Sequence, residues 1–203
     1  MDRDRPAAVI PAAGASRRMG RPKLLLPWGS GSVLGGVVGS LRGGGCGRIA
    51  LVAAPGDDEL ARWGEAAGLA VAENPEPGRG MLSSVLAGLE RLGGADELAS
   101  RGVPLLVTPG DLPALAASTV RRVVEALADG APLAVPVHRG RRGHPLGISP
   151  ALLPELPALD PAVGLRQLLD RHADLVREIP VDDPGAVADV NTPEDYRRLR
   201  PGG

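Results

Sequence analysis

Residues Val9 to Leu34 read V-I-P-A-A-G-A-S-R-R-M-G-R-P-K-L-L-L-P-W-G-S-G-S-V-L, and this stretch decides the fold. A short apolar strand, Ala8 to Ala12, runs into a glycine turn bearing hydroxyl and guanidinium groups. The turn ends at Lys23, after which an apolar run resumes. A strand opening into such a loop presents backbone N–H groups and cations to a polyphosphate. Lys23 is the only lysine of a chain whose other basic residues are all arginine. That exception points to a compact point charge set against a phosphate oxygen, where a planar fork would fit differently. The plain alternative is that one lysine must fall somewhere.

Two familiar phosphate loops are excluded. Gly14-Ala15-Ser16-Arg17-Arg18-Met19-Gly20 lacks the second glycine of G-x-G-x-x-G, so the dinucleotide fingerprint is not matched. Arg21-Pro22 separates Gly20 from Lys23 and Leu24 follows it, so there is no G-x-x-x-x-G-K-[ST] either.

Outward from the loop, strands and helices alternate, which predicts an α/β fold with a mostly parallel sheet. Ser32 is placed to cap a helix with Val33, Leu34, Val37, Val38 and Leu41 on one stripe. Its glycines 35, 36 and 39 each cost about 1 kcal/mol relative to alanine, which calls for close packing on the sheet. Arg48 to Ala53 predicts a buried strand, Asp57 to Ala67 a helix begun by acidic residues, and Leu69 to Ala72 a third strand. Gly80 to Leu92 predicts a helix whose first turn carries Ser83 and Ser84. Free N–H groups and two hydroxyls there can touch a nucleotide, or the serines can simply cap.

Val103 to Thr108 is the strongest buried strand, followed at once by Pro109-Gly110-Asp111-Leu112-Pro113. An aspartate at the carboxyl end of a central strand stands on the edge where open α/β sheets bind ligands. A helix capped near Ser118 and a strand from Leu133 to Val137 follow. His138 to Pro145, H-R-G-R-R-G-H-P, is the one dense basic run; it reads as a solvated mobile loop or as an anion-binding lip for a second substrate. Leu146 to Ser149 predicts a returning strand, Leu152-Leu153 and Leu165, Leu168 and Leu169 two short helices, and Leu175 to Val181 a last strand. Thr192, Pro193 and Asp195 form a capping box with proline at the first helical position. Capping leaves Asp189 unexplained.

The composition narrows the class. A length of 203 residues predicts a single domain spanning 1–203. A net charge of -1 provides no basic field for nucleic acid. Phe is absent and aromatics are sparse, so the core is built from Leu, Val, Ala and Ile, and base-stacking platforms are not expected. Cys46 is the lone cysteine, which excludes an internal disulfide and fits a reducing cytoplasm. No run approaches the ~20 apolar residues of a membrane span, and no secretory leader is expected.

The quoted motifs resemble the signature of the nucleotidyltransferase superfamily: a strand, A-(A or G)-G, a Ser-x-Arg-Met-Gly segment, and a lysine ahead of Leu-Leu-Pro. Gly110-Asp111-Leu112-Pro113, Asp189-Val190-Asn191-Thr192-Pro193 and Gly143-His144-Pro145 extend it along most of the chain. Within the superfamily the chain is most similar to the MobA-like branch, and there to the molybdenum cofactor cytidylyltransferases. The resemblance implies a Rossmann-like three-layer fold and a Mg²⁺-dependent transfer of an NMP group to a phosphorylated small-molecule acceptor of molybdopterin type, with release of pyrophosphate.

It further implies that Arg18, Lys23 and Asp111 are the catalytic candidates. Ala12, Ala13, Gly14, Ser16, Arg17, Lys23, Ser84 and Gly110 would bind the nucleotide, His144 the second substrate, and Asp111 with Asp189 the Mg²⁺. The A-A-G turn favours CTP, because an extra methyl beside the base narrows the slot for a purine; Pro11 departs from the family's usual leucine. A cofactor-receiving apoenzyme is an implied partner. The competing readings are a guanylyl- or other nucleotidyltransferase, a non-catalytic nucleotide- or cofactor-binding protein, and a nicotinamide dehydrogenase, which the missing glycine fingerprint opposes.

Overall fold

The computed structural model describes residues 5–14 and 23–200. In chain order, β1 is Ala7–Pro11, a two-strand ribbon is β2 (Pro27–Trp28) and β3 (Gly31–Ser32), and α1 is Val33–Gly43. Then come β4 (Ile49–Ala53), α2 (Asp58–Ala66), β5 (Ala70–Glu73), α3 (Met81–Arg91), α4 (Ala95–Ser100) and β6 (Leu105–Val107). The chain continues through α5 (Ala117–Ala128), β7 (Leu133–His138), β8 (Arg141–Arg142), β9 (Leu146–Ile148), α6 (Leu165–Arg171), β10 (Val176–Pro180) and α7 (Pro193–Leu199).

The main sheet has the order β10-β7-β9-β6-β1-β4-β5, with β8 paired to β7. β1 pairs in parallel with both β4 and β6, and β5 extends the parallel set, while β9 alone runs antiparallel between β6 and β7. The expected returning strand is thus present, in the reverse direction. The central strands AAVIP, IALVA and LLV are apolar on both faces because both faces are covered. Ala8, Ile10, Leu51 and Leu106 point toward α1 and α5, whereas Val9, Val52, Leu105 and Val107 join α3, α4 and the 3-10 turns of Pro150–Ala158 on the other side. This is a three-layer α/β architecture.

Gly36 answers the question raised by the glycines of α1. A Cβ there would stand 2.6 Å from the Pro113 carbonyl oxygen, so only glycine lets α1 lie against the loop after β6. Ser32 caps α1 as expected, its hydroxyl accepting from the Gly35 N–H at 3.1 Å. Cys46 is buried in the core beneath α1, and that burial pushes its thiol up to about 12.

The expectation that α5 is capped near Ser118 is corrected. Ser118 lies inside the helix, and its flanking residue Ala116 has no side-chain cap. The cap comes from the far end of the chain. Asp183, only 7% exposed, accepts from the Ala116 N–H at 3.0 Å and the Thr119 hydroxyl at 2.7 Å through one oxygen, and from the Gly185 N–H at 2.9 Å through the other. A sequence reading confined to neighbours sees Ser118 and cannot see a carboxylate delivered across the fold. Residues Asp183 to Val187 form a strap across this end of α5, held also by close approach at Gly185, where a Cβ would sit 2.1 Å from the Ala114 carbonyl oxygen.

The Asp183 cap generates a stability prediction. Asp183→Ala should lower unfolding free energy by about 2–3 kcal/mol, since it strands buried donors and removes a charged helix cap. Asp183→Asn, which keeps one carbonyl acceptor, should lose less. Urea unfolding checks this, and equal stability of wild type and alanine variant would contradict it.

Candidate active site

The chain winds outward from β1 through β4 to β5, then crosses back to place β6 on the other side of β1. That reversal splits the loops at the carboxyl ends of β1 and β6 apart and opens a crevice, which is where open α/β sheets take ligands. Ala12–Gly14 leaves β1 there and Thr108–Asp111 leaves β6. Ala12 is pinned by its N–H to the Val52 carbonyl at 2.8 Å, and Ala12 and Ala13 are both buried. Gly110 sits where a Cβ would press at 3.2–3.3 Å on Leu34, Ile10 and Leu24.

Lys23 opens a 3-10 turn, Lys23–Leu25, whose buried Leu24 fixes its position. Its ammonium donates to Asp111 Oδ2 at 2.7 Å, to the Asn191 side-chain oxygen at 3.0 Å and to the Val190 carbonyl at 3.1 Å. Asn191 in turn donates through its amide nitrogen to Asp189 Oδ2. The Val190 N–H completes the tie by donating to the Asp111 carbonyl at 2.9 Å. One lysine therefore joins the end of the β1 loop, the end of β6 and the C-terminal segment.

That segment is itself anchored. The expected capping box is present at Thr192 and Asp195. Hydrogen bonding from the Thr192 side chain holds the Asp195 carboxyl below the usual carboxylate range, helped by the Asn191 and Thr192 N–H groups and by Arg198 and opposed by partial burial. Tyr196 of α7 donates to the Pro27 carbonyl and tilts against Trp28, ring centres 6.3 Å apart. The C-terminus thus closes on the segment that carries Lys23.

Two clefts meet at this cluster. One, about 430 Å³, is lined by Pro11, Ala12, Gly14, Lys23, Leu24, Pro109, Gly110 and Asp111. The other, about 490 Å³, lies between Asp111 and the basic run and includes Arg141, Arg142, His144 and Asp189. Pro109 and Asp111 belong to both. Beside the second cleft the β9–β7 ladder ends at Ala134↔Gly147, β8 pairing begins at Val137↔Arg142, and the Gly143 N–H donates to the Pro136 carbonyl at 2.8 Å between them. Pro136 has no N–H to add a second bond there.

The basic run is an ordered hairpin rather than a plain loop. Arg139 and Gly140 turn it with φ of 49° and 79°, the positive pair that a tight two-residue hairpin requires. Arg142 is paired with Glu178 at 2.7 Å. Gly143 permits contact with the strap, since a Cβ there would stand 2.4 Å from the Ala186 carbonyl oxygen, to which the His144 N–H donates at 2.9 Å.

Of the residues named from sequence, Ser16, Arg17 and Arg18 lie outside the described residues. Ala12, Gly14, Lys23, Gly110 and Asp111 line the first cleft, and Asp111, His144 and Asp189 the second. Ala13 is buried beside the first. Ser84 lines neither of these two clefts: it is 4% exposed, and its hydroxyl accepts from the Asn74 amide at 2.9 Å. Asn74, not foreseen, also donates to Ser83 at 2.8 Å and accepts from the Glu76 N–H at 2.9 Å, which organises the approach to α3. Asp183 was likewise missed. An asparagine just past an expected strand and before proline was the only local signal for the first, and nothing local marked the second.

The carboxylate pair suits a hard cation. Asp111 and Asp189 line one cleft and offer oxygen donors, and Mg²⁺ commonly takes one or two carboxylates plus substrate phosphates. Among the described residues no group of three or more His, Cys, Asp or Glu forms a closed metal cage.

His144 has a buried Nδ1 without a hydrogen-bond partner, one of two such side-chain atoms among the described residues; the other is Thr108 Oγ1, beside the Pro109 shared by both clefts. Burial pushes the imidazole below its ordinary value of 6.5, against upward pushes from hydrogen bonding to the Val107 backbone and from the Asp111 and Asp189 charges. A folded value below the unfolded one means that the unfolded chain binds this proton more readily. The stabilising contribution is therefore present above the unfolded value and lost as pH falls through the folded one. In an NMR titration of the three histidines, His144 should titrate below 6.5. Asp111→Asn removes one upward push and should lower it further; a rise in that variant would contradict the assigned field.

A sequence model of the MobA-like NTP transferase domain matches residues 8–176. The chain is 30% identical over 193 residues to the molybdenum cofactor cytidylyltransferase of Escherichia coli (strain K12), covering 93% of this chain and 92% of the relative. It is 32% identical over 204 residues to the molybdenum cofactor guanylyltransferase of Rhizobium meliloti (strain 1021), covering 95% and 89%. The crystal structure of Rv0371c from Mycobacterium tuberculosis H37Rv superposes with a TM-score of 0.78 at 28% identity, over 96% of this chain and 97% of that one. A manganese complex of the same protein superposes with a TM-score of 0.71 at 26% identity, over 98% and 100%.

Proposed function

Since the chain belongs to the MobA-like NTP transferase family, and is a nucleotidyltransferase by that membership, we propose that it moves CMP from CTP to the phosphate of a molybdopterin-type cofactor. The observation that carries this reading is the meeting of two clefts at one carboxylate, Asp111. Nucleotidyl transfer needs two substrates brought in line, an acceptor oxygen on one side of the α-phosphorus and pyrophosphate leaving on the other.

The acceptor's phosphate oxygen forms the new P–O bond as the bond to the β-phosphate oxygen breaks, and pyrophosphate departs with the electron pair. The nucleophile belongs to the substrate, so the chain supplies alignment and charge. The first cleft would take the nucleotide, with Lys23 near its phosphates. Arg17 and Arg18 are proposed for the same task. The second cleft would take the acceptor, its phosphate met by Arg141 on the hairpin and its body by His144. Asp111 and Asp189 would hold Mg²⁺, which when bound neutralises phosphate charge. The manganese complex of the M. tuberculosis relative supports a divalent cation in this fold.

The base assignment rests on Ala13. Its methyl is buried at the end of β1, where a glycine would leave more room for a purine. The cytidylyltransferase of E. coli supports CTP, and the similarity to the R. meliloti guanylyltransferase keeps GTP as the second reading.

Pyrophosphate release measured on a panel of four nucleotides with molybdenum cofactor should show turnover with CTP, and selective turnover of GTP would overturn the base assignment. Ala13→Gly should move preference toward GTP. Asp111→Ala should reduce kcat by roughly a hundredfold or more, in the range for removal of one electrostatic group from a transfer site. Failure of the wild-type protein to release pyrophosphate from any nucleotide of the panel would overturn the enzymatic reading.

A further inference from the structure

An ammonium group has three hydrogens to donate, and Lys23 spends all three on protein oxygens at 2.7, 3.0 and 3.1 Å. No donor is left for a phosphate oxygen. Asp111 Oδ2 is likewise engaged by that ammonium. Both side chains are 17% exposed, so water only partly solvates either charge and each depends on a countercharge. An anion arriving at Lys23 must therefore replace a contact rather than add one, and a cation arriving at Asp111 meets an ammonium 2.7 Å from Oδ2.

We propose that Lys23 and a divalent cation compete for Asp111, and that the polyphosphate of the nucleotide drives the exchange by accepting the displaced ammonium. This rests on the assignment of the two clefts to nucleotidyl transfer. A doubly charged ion and an ammonium on one carboxylate repel each other strongly in a partly buried site, so occupation by the ion expels the lysine. Polyphosphate is the counterion that stabilises the expelled group in the adjoining cleft. Metal and nucleotide affinities are then coupled through one side chain, and by linkage each raises the other by the same factor. The exchange also frees the Val190 carbonyl and the Asn191 side-chain oxygen, which the ammonium holds, and Asn191 is the residue that contacts Asp189.

The chain's single lysine makes the test direct. Protein labelled with ¹³C-lysine yields one side-chain resonance. In nucleotide-free protein, Mg²⁺ should shift that resonance saturably. Lys23→Gln, with its competitor removed, should bind Mn²⁺ at least tenfold more tightly than wild type by electron paramagnetic resonance. Asp111→Asn should abolish both effects. A lysine resonance unmoved at saturating Mg²⁺ overturns the proposal, as does Mn²⁺ binding to Lys23→Gln no tighter than to wild type, or an absence of Mn²⁺ binding by either. If Lys23→Gln does not fold, the wild-type titration decides alone. Pyrophosphate release is scored separately: transfer with an unmoved lysine sinks the competition and spares the enzymatic reading, whereas a metal-shifted lysine without transfer does the reverse.

Discussion

The pairing of β1 with β6 is the constraint on which the rest depends. Ala7, Ala8 and Val9 are in register with Leu105, Leu106 and Val107, nearly a hundred residues later in the chain. Closing so long a loop costs entropy that local contacts do not repay, and the compensation comes from strands buried on both faces. Val9, Ile10, Leu105 and Leu106 are fully enclosed, each such side chain contributing about 1.5–3 kcal/mol relative to exposure. Once this pair forms, the ends of the two strands must emerge side by side, and with them Gly14 and Asp111. The site is a consequence of the sheet's order before it is a matter of any particular side chain.

Charge organises what the sheet brings together. Two aspartates and one lysine converge where the C-terminal segment crosses the mouth of the crevice, and their contacts tie three chain segments that are remote in sequence. A lysine suits this position physically. Its point charge reaches three oxygens in different directions, and its hydrogens rotate to meet them, whereas a guanidinium fork imposes a plane. The arginines are used where a plane or a long reach serves, as in Arg142 on Glu178 or Arg91 donating to the Val71 carbonyl on the sheet's edge strand. The distinction between the lone lysine and its arginine background is therefore a distinction in geometry.

Much of the fold was legible in the sequence because its strands are continuous apolar runs and its helices carry single stripes. β1, β4 and β7 lie within a residue or so of the expected limits, and the Thr192–Asp195 box is formed as read. Local patterns reported local structure. They missed α4, whose Ala95–Ser100 carries one buried residue, Leu98, and so shows no stripe. They did not give the direction of β9, since Leu146–Ile148 reads the same either way. Ser118 reads as the cap from its neighbours alone, because only the tertiary fold delivers Asp183 to Ala116. In the site, the motifs named Lys23, Asp111 and Asp189 as separate elements, and their linkage through Asn191 became visible only in space.

The two strap contacts show how the second cleft is tied to the first. Asp183 fixes the strap to α5, and Gly143 and Gly185 let it approach backbone so closely that no side chain fits between. Val190 and Asn191, seven and eight residues beyond Asp183 in the numbering, end on Lys23 and Asp111. The strap thus supplies Ala186 and Val187 to the wall of the second cleft, and the short run from it to Asn191 reaches the ammonium that borders the other. Packing at such glycines is rigid, because there is no rotamer to adjust. The clefts therefore share a carboxylate, and one stretch of chain runs from the wall of the second to the lysine that borders the first.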